Sequence, residues 1–102
     1  MDAVQATAKL VREADSRRRA ATTELNQASR GNLGQFMTPA DVAGLMASMF
    51  GPLTGSPRLL DAGAGVGGLT AAFVAEACSR AQRPSVITAT AFEVEDVLVP
   101  HL

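Results

Sequence analysis

Arg58-Leu59-Leu60-Asp61-Ala62-Gly63-Ala64-Gly65-Val66-Gly67-Gly68-Leu69-Thr70 is the stretch that organises this sequence. A short apolar run ends in a carboxylate, four glycines follow within six positions, and an alanine-rich apolar segment begins. The pattern predicts strand, tight turn, helix. Glycines permit positive φ and leave no Cβ in the way of a ligand. The helix that follows turns its free N–H groups toward whatever occupies the turn. A nucleotide-type cofactor is the functional expectation. A glycine-rich turn with no ligand is the plain structural one.

Outward from the turn, the next apolar stretch is Val86-Ile87-Thr88-Ala89-Thr90-Ala91-Phe92, rich in β-branched residues and predicted to be a second strand with Glu93 at its end. Between the two strands, Leu69, Ala72, Phe73 and Ala77 fall at helical spacing. Strand, helix and strand make one βαβ unit, whose strands should be parallel and whose crossover should be right-handed. Cys78 is expected to pack as a small apolar residue, since no second Cys or His stands near it. Glu95 and Asp96 open a further predicted helix through Val97, Leu98 and Val99.

Ahead of the turn, residues 3–28 read as one helix, with Val11, Ala14, Ala21, Leu25 and Ala28 on a common stripe that Arg18 interrupts. Such small apolar side chains make a weak helix alone, so it is expected to pack on the rest of the chain. Arg17-Arg18-Arg19 is read chiefly as a solvated helix face, with a DNA-phosphate contact as the functional alternative. Gly31 and Asn32 suit a helix stop. Thr38 is the expected N-cap of a second helix, with Pro39 at its first position and Asp41 three after the cap. Val42, Leu45, Met46, Met49 and Phe50 form its predicted buried stripe, and Gly51-Pro52 stops it.

At 102 residues the chain allows one small domain. Its fold class is read as α/β, divided into an N-terminal helix over residues 1–30 and a partial cofactor-binding domain over 31–102. No run approaches the ~20 apolar residues of a membrane helix, and the N-terminus lacks a signal-peptide core. A single cysteine excludes an internal disulfide and argues against a cysteine-built zinc site, so a cytoplasmic location is the expectation. Residues 1–30 carry six basic and four acidic side chains, while 31–102 carry three and six. That asymmetry is too mild to indicate nucleic acid by itself. Four Phe and no Trp or Tyr make a thin core, and a two-stranded sheet exposes both edges, so a marginal, aggregation-prone or dimeric fold is expected.

The cofactor can be argued from charge. Gly63-x-Gly65-x-x-Gly68 matches the dinucleotide fingerprint, with Glu93 as the ribose-binding acid. Yet Asp61 would set a negative charge beside a pyrophosphate. S-adenosylmethionine carries a sulfonium and an ammonium and no phosphate, so a carboxylate at the turn is favourable there. Its ribose hydroxyls can donate to Glu93. Asp61-x-Gly63-x-Gly65-x-Gly67 therefore fits S-adenosylmethionine better than a nicotinamide, which stays as an alternative.

Gly34-Gln35-Phe36-Met37-Thr38-Pro39, the amphipathic segment Val42 to Phe50, Leu59 to Gly67 and Ala91-Phe92-Glu93 together resemble the N-terminal part of adenine-specific DNA methyltransferases of the restriction–modification type. The resemblance covers roughly residues 17 to 102. It implies a partial Rossmann-like methyltransferase fold of the class I S-adenosylmethionine-dependent kind. It also implies that Phe36, Thr38 and Pro39 close over the methionine end of the cofactor. Asp61, Gly63, Gly65 and Gly67 would line the methionine and ribose, Glu93 would accept the ribose hydroxyls, and Val94 would flank the adenine. Methyl transfer to the exocyclic amine of a flipped adenine is the family's reaction. Its catalytic motif, an Asn or Asp followed by Pro-Pro and an aromatic, has no counterpart here, since all five prolines are isolated. No catalytic residue and no metal ligand is therefore expected, and whether the chain is an enzyme by itself stays open. The resemblance makes the chain a truncated reading frame, a domain fragment or half of a split enzyme, meeting DNA through the remainder. Its other implied partners are a complementary methyltransferase chain or a second copy. A non-enzymatic remnant that binds a partner is the alternative.

Overall fold

The computed structural model describes residues 3–28, 38–94 and 99–102. Among the described residues, five elements and a terminal turn follow one another: α1 (Ala3–Ala28), α2 (Ala40–Ser48), β1 (Arg58–Ala62), α3 (Gly68–Ser79), β2 (Thr88–Phe92) and a 3-10 turn at Val99–His101. The two strands pair in parallel, Arg58 opposite Thr88 and Asp61 opposite Ala91, with α3 as the crossover. This is the α/β arrangement and the βαβ unit that the sequence predicts. The expected stops at Gly31 and Asn32, and the expected helix start at Glu95 to Leu98, lie outside the described residues.

The helix α3 is the centre of the packing, and α1 and α2 both lie on it. These contacts are made by small side chains: Ala14 and Ala21 of α1, Ala43 and Ala47 of α2, and Ala71, Ala72 and Ala77 of α3 are all buried. Alanine lets helix axes approach closely, and close approach substitutes here for bulk. Ala43, Ala47 and Ala72 form one core cluster with Leu69 against it. Leu53, Phe73 and Ala77 form another, joined by Val74 of α3, Leu59 of β1 and Ile87 just ahead of β2. Phe73 meets Phe50 edge to face, with ring centroids 5.2 Å apart at 83°.

Three local expectations change. The predicted buried stripe of α2 is exposed: Val42, Leu45, Met46, Met49 and Phe50 all present surface, Met49 at 74%. Periodicity located an apolar face, but the alanine face is the one that fits against α3. The start of α2 also shifts. Pro39, not Thr38, is the N-cap, with φ −61° and ψ 155°, and no side chain of its own caps the helix. Instead the Asp15 carboxylate of α1 accepts the N–H of Ala40 at 3.2 Å. Finally, β2 begins at Thr88 rather than Val86, because β1 offers no partner before Arg58. The N–H of Thr88 donates to the carbonyl of Pro57 at 3.1 Å.

Arg80, just past α3, ties the far end together. Its Nε donates to Glu76 Oε1 at 3.0 Å and its Nη2 to the carbonyl of Phe50 at 2.8 Å, while Nη1 donates to the carbonyl of Gly51. A cation at the C-terminal end of α2 also complements that helix's dipole. Two strands cannot cover the apolar side chains offered to them, and Leu60 and Phe92 remain exposed.

Candidate cofactor site

The glycine turn leaves β1 at Ala62 and enters α3 at Gly68. Gly63 and Gly67 take φ of +71° and +87°, a region that side chains with a Cβ rarely enter. Gly67 is the N-cap of α3 in this left-handed conformation. Its carbonyl accepts the N–H of Ala71 at 2.9 Å, and its own N–H donates to Ala64 at 3.0 Å. The turn is also stitched to the end of β2. The N–H of Ala64 donates to the Phe92 carbonyl at 2.8 Å, and that of Gly65 to Glu93 Oε1 at 2.7 Å. Parallel pairing of β1 with β2 places these groups together, although 28 residues separate Gly65 from Glu93.

Asp61 is buried, at 8% exposure. Its Oδ2 accepts the hydroxyl of Thr70, in the first turn of α3, at 2.6 Å. A buried carboxylate needs such a donor. Its negative charge also lies near the positive end of the α3 dipole.

In front of the turn is a cavity of about 90 Å³, lined by Asp15 and Arg18 of α1, by Thr38, and by Gly63, Gly65 and Gly68, among others. Arg18 Nε donates to Asp15 Oδ1 at 2.8 Å, and Arg19 Nη2 stands 3.2 Å from Oδ2. The hydrogen bond from Arg18 holds the Asp15 carboxyl below its ordinary value of 3.8, against the opposing effect of burial.

Of the residues singled out in the sequence, Thr38, Gly63 and Gly65 share this cavity. Pro39 is exposed at the head of α2. Asp61 lies behind the turn, Glu93 clips it from β2, and Gly67 closes it into α3. Val94 is 87% exposed, beside Glu93. Phe36 lies outside the described residues. Three participants were not recognised from sequence: Asp15, Arg18 and Thr70. The signal for Arg18 was present, since it breaks the stripe between Ala14 and Ala21, both of which are buried. Read as part of a solvated face, it is instead mostly covered, with 20% of its side chain exposed. Among the described residues, no cluster of His, Cys, Asp or Glu is placed to hold a metal ion. No described helix is long and apolar enough to cross a membrane.

These features define an α/β chain with a parallel βαβ unit, a glycine turn and a carboxylate at the end of each strand. Sequence relatives narrow the class. The chain is 44% identical over 88 residues to the type II methyltransferase M.PstI of Providencia stuartii, a match covering 86% of this chain and 17% of that protein. It is 35% identical over 75 residues to the type II methyltransferase M.BsuBI of Bacillus subtilis, covering 72% of this chain and 15% of the relative. The chain is thus a homologue of one segment of the type II methyltransferases and spans less than a fifth of their length. No family model and no solved structure matches it.

Proposed function

We propose that this chain is the S-adenosylmethionine-binding portion of an adenine-specific DNA methyltransferase of a restriction–modification system. The observation that supports this best is the pair of carboxylates around the turn: Asp61 at the end of β1 and Glu93 just past β2, on either side of Gly63 to Gly67. Two negative groups suit a cationic sulfonium cofactor and disfavour a pyrophosphate. In this reading the backbone of the turn follows the methionine and ribose, Glu93 accepts the ribose hydroxyls, and Val94 lies along the adenine. Thr38, Pro39 and Phe36 close the methionine end. The methyl group passes to the exocyclic amine of an adenine in DNA, through residues supplied by the rest of a larger enzyme in the cytoplasm. Alone, the chain binds cofactor without turnover.

Isothermal titration with S-adenosylmethionine and with NADH tests this. Binding of the first but not the second, lost in Asp61→Ala and Glu93→Ala, is expected. Preferential NADH binding would overturn the proposal, and so would no binding to either. Turnover of labelled cofactor on DNA by the isolated chain would contradict the claim that it is inactive alone.

A second reading, a module that binds a partner chain, draws on the exposed apolar face of α2. Co-purification with a complementary methyltransferase chain, with no cofactor affinity in this one, would favour it.

A further inference from the structure

We propose that Arg18 is the residue that recognises the carboxylate of the cofactor's amino-acid end, and that Asp15 is its positioning residue. This rests on the S-adenosylmethionine reading and assigns that ligand's zwitterionic end to α1, an element outside the βαβ unit.

Burial supplies the first argument. α1 packs on α3, and Ala14 and Ala21, one turn either side of Arg18, are fully covered. Holding a guanidinium among them costs desolvation and side-chain freedom that an alanine would not. Such a charge is expected where it has something to bind. The orientation of the guanidinium points the same way. Asp15 engages Arg18 through Nε only. A guanidinium fixed at that edge retains its terminal nitrogens as a planar fork, the geometry that matches a carboxylate in two hydrogen bonds. Asp15 is itself fixed, because the Ala40 N–H holds Oδ1 and Arg19 stands against Oδ2.

Charge and size supply the rest. Arg18 and its partner Asp15 line the cavity together, and the start of α3 adds the positive end of a dipole to that pair. That environment attracts an anionic group. The cationic sulfonium then lies toward Glu93, whose Oε1 holds the turn at Gly65. The cavity, about 90 Å³, has room for a small headgroup between α1 and the glycine turn. In the same reading the adenosine lies outside it, over Glu93 and the exposed Val94.

The experiment compares two ligands by isothermal titration on the full chain: S-adenosylhomocysteine and 5′-methylthioadenosine. They share the thioether nucleoside and differ in the amino-acid end. Wild type is expected to favour S-adenosylhomocysteine by roughly tenfold or more, the scale of a charge-assisted bidentate contact. Arg18→Gln should collapse that preference to within about threefold while leaving 5′-methylthioadenosine affinity unchanged, which also shows that the variant is folded. Arg18→Lys, which keeps charge but loses the fork, should fall between and serves if the glutamine variant does not fold. Asp15→Asn should erode the preference, and Asp15→Glu should restore part of it. If neither Arg18 variant alters the preference, the inference is overturned and the cofactor reading survives. If wild type binds neither ligand, the cofactor reading fails and the subsite with it.

Discussion

Glu93 Oε1 accepts the backbone N–H of Gly65 at 2.7 Å, so a side chain at the end of one strand holds the turn that leaves the other. Glu93→Gln keeps an oxygen acceptor for that N–H and removes the charge. It should leave the melting temperature close to wild type and weaken S-adenosylmethionine binding about tenfold or more, read by calorimetry. Glu93→Ala removes both. It should destabilise the chain by about 1–3 kcal/mol in denaturant titration, because the Gly65 N–H loses its partner.

Thr70 and Asp61 form a comparable pair across the base of the turn, 2.6 Å apart. Thr70→Val preserves shape and removes the donor to a buried carboxylate. A loss of about 1–3 kcal/mol is expected from urea unfolding. In a double-mutant cycle with Asp61→Asn the effects should be non-additive, since the two residues share one interaction.

Asp15 makes stability depend on pH. Its folded-state pKa is lowered below 3.8, chiefly by the Arg18 hydrogen bond. The unfolded chain therefore binds the proton more readily. The stabilisation from Asp15 is complete above about pH 4 and is lost as pH falls through the folded-state value. Thermal melts between pH 6 and pH 3 should show a steeper fall for wild type than for Asp15→Asn, which lacks this titration.

The exposed face of α2 predicts a surface phenotype. Leu45→Glu and Met49→Gln remove exposed apolar area without touching the alanine contact, so dye binding and concentration-dependent association should fall while the melting temperature holds. Ala47→Leu should do the reverse. It overfills the contact between α2 and α3 and should cost about 1–3 kcal/mol.

The sequence alone determined the order of elements, the parallel βαβ unit, the turn and the two acids. Each of these rests on local rules: Gly63 and Gly67 supply positive φ, the Ala/Phe spacing of α3 is helical, and the β-branched run ends at Glu93. The tertiary structure decided which faces meet. The large residues of α2 looked like its core side, yet alanines permit the closer approach to α3, and the pattern of apolar residues does not rank faces by fit. The helix α1 is expected from its spacing to pack on the rest of the chain, with Arg17 to Arg19 as a solvated face, but local spacing does not name its partner. Its packing on α3 brings the Asp15 carboxylate to the Ala40 N–H and sets Arg18 on the wall of the cavity in front of the glycine turn, placements of residues far apart in the chain that no local spacing encodes. Asp61 could be read as a charge beside a cofactor; only the fold gave it Thr70 as its hydrogen-bond donor.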